Sequence, residues 1–85
     1  MKINLFKYPK TLEILKYLHN HKNSRVVDIS SSINVQYSYV SKGIKFLKEE
    51  KLIYVSHLGR ETFVVLTDLG SKIAKRLYEI TEMLK

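Results

Sequence analysis

The residues of this 85-residue chain best suited to molecular recognition lie in one stretch, Gln36-Tyr37-Ser38-Tyr39-Val40-Ser41-Lys42-Gly43-Ile44-Lys45. Glutamine can pair with adenine, serine with several hydrogen-bonding partners, and lysine with guanine or phosphate. Tyrosine adds a phenol for phosphate and a ring for a thymine methyl group. A second reading stands beside this one. Serine and lysine also solvate any exposed helix face, and Tyr37 and Tyr39 are equally suited to packing over the turn after Val35. Further along, His57-Leu58-Gly59-Arg60 offers two more candidates. Arginine gains from the enhanced negative potential of a narrow minor groove, or it is an ordinary solvent-exposed turn residue. His57 reads as a phosphate contact or a bystander.

Catalytic and metal chemistry find no support. His19 and His21 stand at i and i+2, which point to different sides of a helix. The chain has no cysteine, and its carboxylates show no ligand spacing. No metal site and no cofactor are therefore expected. No nucleophile–base arrangement, glycine-rich phosphate loop or paired-carboxylate motif is present, so the chain does not read as an enzyme.

Composition sets the frame for these residues. The length suits a single domain over residues 1–85, with a thin core that disulfides cannot supplement. Apolar residues make up 45% and charged residues 27%, the proportions of a globular domain. No apolar run exceeds four residues, as in Phe63 to Leu66, far short of the ~20 that span a bilayer. The first residues carry no apolar core of signal-peptide length. A cytoplasmic, nucleoid-associated location without a membrane partner is expected, and the absence of cysteine fits a reducing compartment. Fifteen Lys and Arg against eight Asp and Glu give a net charge of +7, which favours a polyanionic partner.

The elements that must position the candidates follow from periodicity. Leu12, Leu15 and Leu18, with Ile14, mark a first helix that opens at Pro9. A short second helix over about 25–32 is predicted, with Ser24 as N-cap and Val26 and Ile29 facing inward. Ile33-Asn34-Val35 reads as a tight turn. A third helix over 37–50 keeps Val40, Ile44 and Leu47 on one face. From Leu52 the pattern becomes β-branched and aromatic, giving strands over 52–56 and 61–66 with a glycine-containing turn between them. Thr67 is the predicted N-cap of a last helix, along which Ile73, Leu77, Ile80 and Leu84 form one stripe.

Local sequence then supplies a resemblance. Ile29-Ser30-Ser31-Ser32-Ile33-Asn34-Val35, Ser38-Tyr39-Val40-Ser41-Lys42 with the spaced Leu47, Lys51-Leu52-Ile53, and Leu66-Thr67-Asp68-Leu69-Gly70 resemble, in that order, motifs of MarR-like winged helix-turn-helix regulators. The similarity covers Leu12 to Gly70. It implies an α+β winged helix-turn-helix fold with three helices, a β-hairpin wing and a C-terminal helix. It also implies a DNA-binding transcriptional regulator, in which helix 37–50 enters the major groove of double-stranded DNA. Gln36, Tyr37, Ser38, Tyr39, Ser41, Lys42 and Lys45 would then lie near the DNA. The wing, 57–61, would bring His57 and Arg60 to the adjacent minor groove or backbone. Three positions depart from the pattern: Lys51 replaces a glycine, Gly43 sits mid-helix, and Gln36 replaces a capping Ser or Thr.

Two rival readings remain open: an architectural DNA-coating protein with little sequence preference, and a winged-helix module that binds protein instead. The stripe Ile73, Leu77, Ile80 and Leu84 in residues 70–85 is expected to form a homodimer interface, joined by Leu5, Phe6 and Tyr8. Part of that stripe should cap the domain's own core.

Overall fold

The computed structural model describes residues 10–85. The first helix, α1 (Thr11–Asn20), buries Ile14, Leu15 and Leu18 completely. Its expected opening at Pro9 lies outside the described residues, as do Leu5, Phe6 and Tyr8. A two-residue strand, β1 (Ser24–Arg25), precedes α2 (Val26–Ile33). Helix α3 (Tyr37–Glu49) leads into the hairpin β2 (Ile53–Leu58) and β3 (Glu61–Leu66), and α4 (Asp68–Met83) ends the chain. The sheet order is β1-β3-β2, antiparallel throughout.

Strand β1 is absent from the sequence expectation, because two residues carry no readable period. It also displaces the predicted cap. Ser24 pairs with Val64 of β3, and its Oγ donates to the His21 carbonyl at 3.0 Å. Helix α2 therefore starts one residue later, from an extended Arg25 that makes no side-chain cap bond. Val26 and Ile29 do face inward.

The core gathers from all four helices and β3: Ile14, Leu15 and Leu18 of α1, Ile29 of α2, Val40 and Leu47 of α3, Val64 of β3 and Ala74 of α4 are all fully buried. Each large aliphatic side chain so placed stabilises the fold by about 1.5–3 kcal/mol. Phe46, which the i, i+4, i+7 pattern passes over, is buried as well. Gly43 has a role in this packing. A Cβ there would stand 3.0 Å from Ile14 Cδ1, so the bare backbone lets α1 and α3 approach closely.

Two helix ends close with the same bond pattern. After α2, the Asn34 N–H donates to Ser31 O and the Val35 N–H to Ser30 O, with Asn34 at φ 56°. After α3, the Lys51 N–H donates to Lys48 O and the Leu52 N–H to Leu47 O, with Lys51 at φ 61°. Both are Schellman closures, in which a residue in the left-handed region returns two N–H groups to orphan carbonyls. Asparagine adopts that region readily, whereas Lys51 does so at a steric cost where glycine would be unstrained.

The α3 end is tied directly to the start of α4. Thr67 donates its N–H to Leu52 O at 3.0 Å and its hydroxyl to Lys51 O at 2.8 Å, and its Oγ1 accepts from the Gly70 N–H at 3.0 Å. The predicted Thr67 cap is thus real and does more than cap. Gly70 lies so close to the same carbonyl that a Cβ would fall 1.9 Å from Leu52 O. Only glycine fits there.

Candidate nucleic-acid interface

Helix α3 divides cleanly. Val40, Gly43, Ile44, Phe46 and Leu47 are buried, while Gln36, Tyr37, Ser38, Tyr39, Lys42 and Lys45 are exposed and Ser41 is half-buried. The i, i+4, i+7 spacing sets Ser38, Lys42 and Lys45 in one row along the solvent side. Tyr37 and Tyr39 remain 50% and 42% exposed, so packing over the turn consumes only part of either ring. Gln36 holds the N-cap position without a side-chain cap bond, which leaves its amide available. Val35, before it, is fixed by the Ser30 hydroxyl, which donates to the Val35 carbonyl.

The electrostatics of this surface are one-sided. No Asp or Glu occurs between Asp28 and Glu49, while Lys42, Lys45 and Lys48 fall in that interval. Among the described residues, Lys42, Lys45 and Arg60 make no ion pair.

The hairpin is longer than its sequence suggests. Pairing continues through His57↔Thr62 to Leu58↔Glu61, so His57 belongs to β2 and the loop is only Gly59-Arg60. Gly59 takes φ 62°, and Arg60 is not among the residues of positive φ, as in a type II′ hairpin turn. Arg60 is therefore exposed at the very tip. His57 Nδ1 lies 3.2 Å from Thr62 Oγ1, which orients the ring across the strands.

Register also assigns the faces. Ile53, Val55, Val64, Leu66 and Ser24 turn toward the core, while Tyr54, Ser56, Leu58, Glu61, Phe63, Val65 and Arg25 share the outer face. Arg25 is the centre of an ion-pair cluster there. Its Nε and Nη2 grip Asp28 at 2.9 and 3.0 Å, and its Nη1 reaches Glu61 at 2.7 Å. Hydrogen bonding to Arg25 holds the Asp28 carboxyl below the usual aspartate range, and the two carboxylates push the guanidinium up in turn.

Lys10 is a residue that sequence reasoning missed. It lines a pocket of about 230 Å³ with Val35, Gln36 and Tyr39, at the start of α3. It also lies 3.5 Å from Glu13. No local pattern could have flagged it, because only the fold brings the start of α1 beside α3.

The two histidines at the end of α1, His19 within it and His21 just after it, serve separate contacts. His21 stacks on Tyr17 at 4.1 Å, and His19 meets Tyr78 of α4 at 5.0 Å. Among the described residues, no group of three or more His, Asp or Glu is placed to hold a metal ion. Nor is any described helix long and apolar enough to cross a membrane.

Along α4, Ile73 and Leu77 pack against the domain's own core. Ile80 and Leu84 stay exposed, with Met83 beside them. The expected interface stripe is thus split between two environments.

A winged helix-turn-helix family profile matches residues 7–85. An uncharacterised protein of Archaeoglobus fulgidus is 31% identical over 88 aligned positions, covering 99% of this chain and 93% of that protein. A crystal structure from Archaeoglobus fulgidus superposes with a TM-score of 0.86 at 30% identity, covering 100% of this chain and 98% of that one. A transcriptional regulator homologue from Pyrococcus horikoshii gives 0.77 at 20% identity, over 94% of this chain and 82% of its own. BpsR of Bordetella bronchiseptica, whose DNA binding is regulated by 6-hydroxynicotinic acid, gives 0.79 at 25% identity. The match covers 88% of this chain and 55% of BpsR, so the chain spans about half that regulator's length. The chain belongs to the winged helix-turn-helix family, and its fold is shared with MarR-like transcriptional regulators.

Proposed function

We propose that this protein is a homodimeric, intracellular transcriptional regulator that binds double-stranded DNA and has no catalytic activity of its own. Helix α3 enters the major groove, with Gln36, Ser38 and Ser41 reading base edges and Lys42 and Lys45 contacting guanine or phosphate. Tyr37 and Tyr39 contact phosphate or thymine methyl groups at its start. Arg60 reaches the adjacent minor groove from the wing tip, and His57 lies along the backbone. Lys10 adds a phosphate contact beside Tyr39. The dimer forms through the end of α4.

The observation that carries this reading is the row Ser38, Lys42 and Lys45 on a helix that carries no carboxylate before its last residue, Glu49, and whose opposite face is buried. A helix that bound protein instead would have no need for a continuous interval without carboxylates. The deciding experiment is a titration against the DNA upstream of the protein's own gene beside random duplex, at two salt concentrations. A regulator should prefer its site by ~10³-fold or more. Equal affinity for both duplexes would make the protein an architectural DNA-coating factor, and absence of binding to either would leave the protein-interaction reading.

A further inference from the structure

We propose that Arg25 is a positioning residue for DNA binding: it clasps the root of the wing to the helix-turn-helix and so sets where Arg60 stands. The inference rests on the reading of the wing as a DNA contact.

Arg25 occupies an unusual junction. It pairs with Phe63 in the sheet and is also the residue from which α2 begins. Its side chain lies on the outer face of the wing, two residues along from Glu61 on the neighbouring strand. Such diagonal neighbours are within reach of a long side chain. Glu61 is the first residue of β3 and directly follows Arg60. A grip on Glu61 is therefore a grip on the turn itself.

Asp28 makes that grip directional. It sits in the first turn of α2, where the helix dipole favours its charge. It takes Nε and Nη2 of Arg25 in a two-pronged arrangement, at 2.9 and 3.0 Å. The guanidinium plane is then fixed by α2, and Nη1 is the nitrogen left for Glu61 at 2.7 Å. Isolated surface ion pairs contribute little, but a bidentate pair within a three-member cluster is the favourable exception. Lysine cannot replace arginine here, since a point charge lacks the planar fork that orients one end by the other. The guanidinium also offsets one of the two negative charges that stand beside the wing and the helix-turn-helix.

Charge and position predict opposite outcomes, which makes the idea testable. Glu61→Gln and Asp28→Asn each make the protein more positive. Acting through charge alone, both would tighten DNA binding. Acting through the clasp, both should weaken it, by about tenfold, the scale of one well-placed base contact. Arg25→Lys should fail to restore the parent affinity although it keeps the charge. Backbone amide relaxation of residues 58–61 in the free protein gives an independent readout, and their order parameters should fall in all three variants. An unchanged wing in Glu61→Gln would overturn the clasp, while a loss of affinity in Arg60→Ala would still uphold the wing contact. A loosened wing with unchanged or tighter DNA binding would overturn the clasp's link to DNA. If Arg60→Ala were then silent too, the wing reading itself would fall.

Discussion

At the scale of single residues, the interface and the scaffold make separable predictions. Lys42 and Lys45 stand about one turn apart, exposed and, among the described residues, without ion pairs, so the double alanine variant should bind DNA more weakly and with a flatter salt dependence. Each phosphate that the variant no longer neutralises should take ~0.9 off the slope of log K against log salt. Changing Gln36 or Ser38 should alter sequence preference instead. Parent-like binding by the double lysine variant at moderate salt would exclude this docking. Gly70 answers to packing rather than to DNA. Its missing Cβ would lie 1.9 Å from Leu52 O, backbone against backbone, so no side-chain rotation can relieve Gly70→Ala. Chemical denaturation should show a loss of about 3 kcal/mol or more. Asp28 gives a prediction in pH. Its folded-state carboxyl is held below the usual range by Arg25. The stabilisation this brings is present above the ordinary aspartate pKa and is lost as pH falls through the depressed value. A carboxyl carbon NMR titration should therefore place the Asp28 midpoint below that of aspartate in a short peptide, and Arg25→Gln should return it there.

At the scale of elements, Lys51 shows how far the sequence reaches and where it stops. The order helix, helix, helix, hairpin, helix is legible because each amphipathic stretch keeps its period and Gly59 and Thr67 carry local turn and cap chemistry. The exposed face of α3 is legible for the same reason. Lys51 reads from sequence only as a missing glycine cap, whereas the structure completes the cap with lysine in the left-handed region. Nothing local announces this, because the strain is sustained by long-range bonds: Thr67 donates to the carbonyls of both Lys51 and Leu52. β1 and the Arg25 cluster are hidden for a like reason, since they exist only once β3 lies alongside residues 24 and 25. The wing reads two residues short at its tip because His57 and Leu58 lack a strand-like pattern, although cross-strand pairing holds them. It follows that Lys51→Gly should relieve the left-handed strain while keeping every bond of the closure. A gain of about 0.5–1 kcal/mol is expected in denaturant melts, after subtracting the entropy that glycine brings to the unfolded chain. A loss of stability instead would mean that the lysine side chain contributes more than its backbone costs.

At the scale of the whole molecule, the question is what covers the end of α4. Ile73 and Leu77 are half-buried against the domain's own core, so only part of each is left to meet a partner. Beyond them Ile80 is 53% exposed, and Met83 and Leu84 are each 82% exposed, a run of apolar side chains at helical spacing. Clustered exposure of this kind marks an interaction site more often than isolated apolar residues do. A second copy is the natural occupant for a protein that reads duplex DNA, because a two-fold axis matches the symmetry of paired half-sites. Three such side chains per subunit, at ~1.5–3 kcal/mol each when fully buried, can offset a substantial part of the cost of association. Leu77 is the wrong place to test this, since charge there would damage the core. Ile80→Glu with Leu84→Glu should instead give a monomer with unchanged helicity and unchanged contacts along α3. Its affinity for a two-half-site operator should fall by ~10²–10⁴, the gain that linked binding events confer, while its affinity for a single half-site should hold. Sedimentation of the unmodified protein settles the premise. A monomer at tens of micromolar would remove the dimer and the palindromic operator together, and leave α3 and the wing to act as one unit on one half-site.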